Sequence, residues 1–205
     1  MRAGQIILVR HGRTDANSSG ILQGRVDNPL NAEGERQAAD VAAHLARRLV
    51  RTGGAPPRIV SSPLARARQT AAHIESAFNG GTGVEVDDRW LELDYGIFDG
   101  RALSTVPDDL WHRWRTDDSF VPEGGESLSE VHQRVTAACE ELLELGDTVV
   151  VVSHVSPIKS AVAWALGASP ALGWRTHLDN ASISRINLGP RGAALAGFNE
   201  IGHLG

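Results

Sequence analysis

A single cysteine, Cys139, occurs among the 205 residues, so no internal disulfide can form and a reducing compartment is the natural setting. Long apolar runs are missing too. The opening stretch MRAGQIILVRHG carries four consecutive apolar residues (IILV) before turning polar, far short of a secretory core or a bilayer span. The expectation is a mature chain that begins near Met1, works in the cytoplasm and has no membrane partner. There is no large excess of charge of one sign: 20 Lys and Arg stand against 25 Asp and Glu, a net charge of -5. Such a surface has no overall attraction for nucleic acid, although a local group of arginines can still bind a small anion. Low-complexity tracts are absent. Histidines 44, 73, 112, 132, 177 and 203 show no HExxH spacing and read as surface or structural residues, so no metal site and no cofactor is expected. What is present is an ordinary globular composition, 41% apolar and 22% charged, in a length that predicts one domain over residues 1–205.

The periodicities alternate between strand and helix. Residues 5–9 (QIILV) form a short apolar run expected of a buried strand. From Ala32 to about Val50, apolar residues recur at Ala38, Val41, Ala42, Leu45 and Leu49, a helical spacing stopped by Gly53-Gly54 and Pro56-Pro57. Residues 58–61 (RIVS) predict a second strand, followed by a helix with Ala67, Ala71, Ile74 and Phe78 on one face and a stop at Asn79, Gly80 and Gly81. A weak strand is expected at 84–86 and a short helix across Leu110 to Trp114. Leu128, Val131, Val135, Ala138 and Leu142 mark a long amphipathic helix ending near Gly146. The run 148–152 (TVVVV) is the strongest strand signal, with helix through Ala161 to Leu166 after it. Residues 181–188 and 193–199 predict two strands turning at Gly189-Pro190. This order implies a three-layer α/β/α sandwich with a mostly parallel central sheet.

Ligands of such sheets bind beyond the carboxyl ends of the strands. Three predicted strand ends deliver candidates there: Arg10, His11, Gly12 and on to Asn17 after the first; Ser61 to Arg66 after the second; Ser153, His154 and Val155 after TVVVV. Two arginines and two histidines converging on one edge suit a phosphate dianion, which needs donors from several directions and favours the guanidinium fork.

The segments LVRHGRTDAN, SSPLARARQT, ELDYGIFDG and VVSHVS resemble, in order and spacing, the motifs of the histidine phosphatase (phosphoglycerate mutase-like) superfamily. The resemblance spans most of the chain. It implies that His11 is the nucleophile taking the phosphoryl group on its imidazole, that Arg10 and Arg66 bind the non-bridging oxygens, and that His154 is a third cationic or donor contact. It implies that Asn17, with Gln23, Gly24 and Val155, contacts the substrate, and that Glu92 is the general acid, then the base that activates water. A phosphate dianion favours a protonated carboxyl beside it, so an acidic to neutral optimum is expected. The implied activity is a phosphomonoester hydrolase for a small phosphorylated metabolite. The runner-up is a cofactor-dependent phosphoglycerate mutase, and the alternative of another class is a non-catalytic phosphate-binding or interaction protein.

Competing readings stand beside these. Arg68 rivals Arg66, but residues two apart on a helix lie about 200° apart, and the register favours Arg66. Glu92 could instead pair with Arg89 on the surface. Cys139 has no adjacent base and reads as a packing residue. The family usually follows the second histidine with glycine; Val155 stands there instead and alters the backbone approach. Leu93 occupies the position where family mutases carry an arginine, which favours the phosphatase branch. Residues 101–125 are read as a small cap, with Trp111, Trp114, Arg113 and Arg115 facing a ligand; equally, the two tryptophans pack a short helix into the core. Arg25, Arg101 and Tyr95 are further candidates for the pocket border. A homodimer is the expected assembly because closed pairs are commonest.

Overall fold

A computed structural model describes residues 4–50, 56–78 and 83–205. Its main elements are β1 (Gly4–Arg10), α1 (Asp15–Ser18), α2 (Ala32–Val50), β2 (Arg58–Ser61), α3 (Ala65–Ala77), β3 (Val84–Val86), α4 (Asp108–Thr116), α5 (Leu128–Leu145), β4 (Thr148–Ser153), α6 (Val155–Leu166), β5 (Ile183–Gly189) and β6 (Gly192–Glu200). The predicted stops at Gly53-Gly54 and at Asn79, Gly80 and Gly81 lie outside the described residues.

The strands form one sheet in the order β3-β2-β4-β1-β5-β6. β3, β2, β4 and β1 are mutually parallel, and β5 and β6 extend the sheet antiparallel. Successive residues of a strand face opposite sides, and the apolar runs of β1 and β4 supply both sides at once. Ile6, Leu8, Val149 and Val151 pack under Val131, Val135 and Leu142 of α5 and Ile158 of α6. Ile7, Val9, Val150 and Val152 pack under Val41 and Leu45 of α2 and Ala67, Ala71 and Ile74 of α3. The result is the expected three-layer sandwich.

Local chemistry sets the helix bounds. α5 begins with a capping box, in which the Ser127 hydroxyl accepts from Glu130 N–H and Glu130 reaches back to Ser127 N–H, and ends at Gly146 with φ of 66°. That left-handed turn costs a glycine little. α6 starts six residues earlier than the apolar pattern suggests, directly after His154. Pro157, which looks like a breaker, sits in the first turn, where its missing N–H removes no intrahelical bond.

The register fixes the functional edge. Arg10 of β1 aligns with Ser153 of β4, and Ser61 of β2 with Val152, so the residues that follow all three strands emerge together.

Candidate active site

His11 leaves β1 with its N–H on the Ser153 carbonyl and its own carbonyl held by Ala181 N–H, at 3.0 and 3.1 Å. Its Nδ1 lies 2.7 Å from the Gly12 carbonyl. A carbonyl only accepts, so Nδ1 carries the proton and, in the neutral ring, the lone pair is on Nε2. Burial first, then the charges of Arg66 and Arg10, hold the pKa well below the ordinary 6.5. The ring is therefore neutral at physiological pH. Gly12 itself passes so close to the Gly34 backbone that a Cβ there would overlap it.

A cleft opens over this ring, lined by Arg10, His11, Asn17, Gln23, Glu92, Tyr95 and Val155 with Ile21 and Leu22. Arg10 donates through Nη1 to the Leu178 carbonyl at 2.6 Å, while its buried Nε has no protein partner. Asn17 is fixed as the third residue of α1 by a capping box with Thr14. Its Oδ1 lies within hydrogen-bond distance of Thr14 N–H, the Thr14 hydroxyl and Asn180 Nδ2. Gln23 Oε1 is similarly taken up by Thr14 and Asn28. With both carboxamide oxygens engaged, what these side chains have left is N–H donors, the groups an anion requires.

Arg66 and His154 lie behind the lining layer, both 0% exposed. Arg66 donates through Nε to His154 Nδ1, through Nη1 to Val26 O, and through Nη2 to the carbonyls of Gln23 and Gly24. Four of the five N–H groups of a guanidinium are thereby engaged and one, on Nη1, is left. Burial lowers its pKa to about 10, which leaves it a cation. His154 Nδ1 accepts from Arg66, so its Nε2 bears the proton, 2.7 Å from Ser62 Oγ. Burial and Arg66 keep this ring neutral too, and both of its nitrogens are engaged, by Arg66 and by Ser62. The two rings sit 5.1 Å apart.

Glu92, 4% exposed, makes no ion pair with Arg89, which binds Asp87 and Glu141 instead. Its Oε1 accepts from Leu93 and Ser156 N–H at 2.8 and 3.0 Å, and its Oε2 from Val155 N–H at 3.0 Å. Val155 and Ser156 open α6, so the helix's unpaired N–H groups anchor the carboxylate. Oε2, with one donor, keeps a lone pair on which a proton can ride.

Several expected neighbours stand elsewhere. Gly24 is outside the lining: its N–H donates to Asp99 and its carbonyl receives Arg66. Asp99 binds the N–H groups of Gly24, Arg25 and Val26 at 2.6 to 2.9 Å and so shapes the loop whose carbonyls hold Arg66. Arg25 pairs with Asp94 and Glu126, and Arg101 lies over Phe98; neither lines the cleft. No residue of 101–125 does so either. Trp114 is buried with Leu22, Val106 and Phe120, Trp111 and Tyr95 pack beside it, and Arg113 stacks on Phe120. The short helix is thus tied into a satellite core. Arg68 is exposed, and Cys139 is buried among α5 core residues with its thiol pKa pushed up by burial. Among the described residues no group of three His, Cys, Asp or Glu is placed to hold a metal ion, and no helix is long and apolar enough to cross a membrane. Ser62, Thr14, Asn180 and Asp99 were not singled out by sequence; DYGIFDG contains Asp99, but only the fold brings it to the 23–26 loop.

The profile of the histidine phosphatase superfamily (branch 1) matches residues 6–201. The chain belongs to this superfamily. Among relatives of this histidine phosphatase superfamily member, phosphoserine phosphatase 1 of Hydrogenobacter thermophilus is 35% identical across 98% of this chain and 94% of its own length. A probable phosphoglycerate mutase, GpmB, of Yersinia enterocolitica is 38% identical across 89% of this chain and 84% of its own. A bifunctional protein of Mycobacterium tuberculosis is 36% identical across 98% of this chain but 55% of its own length, so here the chain spans about half of its relative. Of the solved structures, a mycobacterial glucosyl-3-phosphoglycerate phosphatase superposes with a TM-score of 0.83 at 28% identity, covering 98% of this chain and 100% of that one.

Proposed function

We propose that this histidine phosphatase superfamily member hydrolyses phosphomonoesters, without a metal, through a phosphohistidine on His11. The observation that carries the reading is the state of His11: a buried neutral ring, anchored through Nδ1, with a free Nε2 in a cleft lined by the Arg10 cation and the Glu92 carboxyl group and backed by the buried Arg66 cation. Buried charge of one sign is unfavourable unless balanced, and a phosphate dianion supplies the balance.

In the first step the Nε2 lone pair attacks phosphorus, the bond to the ester oxygen breaks, and Glu92 gives that oxygen its proton, releasing an alcohol. In the second, Glu92 takes a proton from water, the water oxygen attacks phosphorus, and the N–P bond breaks to return neutral His11 and free phosphate. Arg10, the remaining Nη1 hydrogen of Arg66 and the amides of Asn17 and Gln23 stabilise the equatorial oxygens, where preorganised donors contribute most. Phosphate release from a panel of phosphomonoesters in the presence of a chelator tests this, with an alkaline denaturing quench to trap phosphorylated protein. Release and an acid-labile adduct, both lost in His11→Ala, are expected. Release without an adduct at His11 overturns the intermediate; isomerisation of phosphoglycerate in place of release identifies a mutase, and binding without turnover a non-catalytic protein.

A further inference from the structure

A second cavity adjoins the cleft. Tyr95 and Val155 line both spaces, and the further walls of the second are mainly Leu93, Leu128, Pro170 and Trp174. Lys159 is its one charged lining residue, and two of the three ammonium hydrogens are taken by the carbonyls of Gly173 and Thr176, at 2.8 and 2.6 Å. The cavity therefore offers extensive apolar contact and few free donors.

Its position relative to the reacting oxygen follows from the chain. Glu92 lines the phosphate cleft while its neighbour Leu93 lines the second cavity, and Val155 and Ser156, whose N–H groups hold the Glu92 carboxylate, line the second cavity as well. An ester oxygen within reach of Glu92 thus carries its organic group to the cavity mouth. We propose that this cavity receives the leaving alcohol and selects phosphomonoesters of largely apolar alcohols, aryl-bearing or branched alkyl, over those of polyhydroxylated or acidic alcohols. A sugar or glycerate group placed there leaves hydroxyl or carboxylate groups desolvated with few partners, whereas an apolar ring replaces water against Leu128 and between the Tyr95 and Trp174 rings. A second phosphate, as in a bisphosphoglycerate, would find one lysine hydrogen and the Ser156 and Tyr95 hydroxyls, with no arginine in the lining.

The inference rests on the phosphatase reading, and the test separates the two. Benzyl phosphate and glycerol phosphate are compared by kcat/KM, because benzyl alcohol is no better a leaving group than glycerol and a preference for it reports binding. Benzyl phosphate is expected to be favoured at least tenfold. Leu128→Gln and Trp174→Ala are each expected to cut that ratio fivefold or more while inhibition by inorganic phosphate stays unchanged, which shows the phosphate cleft intact. Equal or better use of glycerol phosphate, phosphoserine or phosphoglycerate overturns the selectivity and leaves the phosphatase standing. A benzyl preference that neither variant reduces overturns the assignment to this cavity. No release from any ester, with no adduct on His11, overturns the phosphatase reading and this inference with it.

Discussion

Arg66 and Arg68 differ by two positions in sequence and by their whole environment in space: one is fully buried behind His11, the other is exposed on the outer face of α3. Charge-assisted hydrogen bonds to a buried anion contribute about 1.5–3 kcal/mol each. Arg66→Ala should accordingly raise the inhibition constant of inorganic phosphate by about tenfold to a hundredfold, and Arg68→Ala should leave it within about twofold; the reverse order in a phosphate competition assay would show that Arg66 does not serve the anion. Glu92→Gln keeps the shape of the carboxyl group and removes its proton chemistry. It should lower kcat by about 10²–10⁴ and flatten the pH profile, and a variant retaining the parent profile would take the general acid away from Glu92. Arg66, His11 and Glu92 were legible because each stands at a strand end or in a short motif; helical geometry lets only one of Arg66 and Arg68 face the site, and the register favoured Arg66. Asn180 was not: it reaches His11 and Asn17 across 169 and 163 positions of chain, a relation that no local spacing encodes. The same holds for Ser62 beside His154, since a serine after a strand carries no sign of its partner.

The loop that follows α1 shows how one element positions another. Residues Gln23, Gly24 and Val26 present their carbonyls to Arg66, and the N–H groups of Gly24, Arg25 and Val26 are gathered by Asp99, which follows a 3₁₀ turn at Gly96–Phe98. Gly24 is required there because a Cβ would meet the Leu93 carbonyl at 2.5 Å. Removing the Asp99 carboxylate leaves three donors, two of them part-buried, without their acceptor. Asp99→Ala should cost about 1–3 kcal/mol in urea denaturation and weaken phosphate inhibition, while the ratio of kcat/KM values between two esters stays as in the parent, because the loop holds Arg66 and does not line the second cavity. Weakened phosphate inhibition with stability unchanged would refute the coupling. Element starts were the less legible part of the fold. α4 spans Asp108–Thr116 where the apolar pattern marked only Leu110 to Trp114, since the polar first turn of a helix carries no periodicity. The first six residues of α6 were missed, since the apolar pattern marked only Ala161 to Leu166, and with them the fact that His154 stands at the N-cap position of the helix whose first N–H groups hold Glu92.

For the molecule as a whole, keeping His11 and His154 buried and neutral makes its stability depend on pH. Both folded-state pKa values lie well below the ordinary 6.5, with burial the largest cause in each and the charge of Arg66 next. In the unfolded chain both rings regain that ordinary value and take up protons as the pH falls through it, whereas the folded state does not. Stability from the neutral rings is therefore fully present above pH 6.5 and is lost progressively below it, by about 1.4 kcal/mol per pH unit for each ring. The same shift keeps His11 nucleophilic in acid, so the acid limb of kcat/KM should fall below pH 6.5, and the limit to activity at low pH becomes unfolding instead of protonation of the nucleophile. Urea denaturation at several pH values between 7.5 and 5.5 checks this with the parent and a His11→Gln, His154→Gln variant. The other histidines are common to both proteins and cancel in the comparison. The parent should lose stability faster, by about 2.7 kcal/mol per pH unit at the limit where both rings are charged in the unfolded state alone. Parallel slopes would mean that the rings take up protons in the folded protein, and the neutral nucleophile on which the proposed chemistry depends would then be lost.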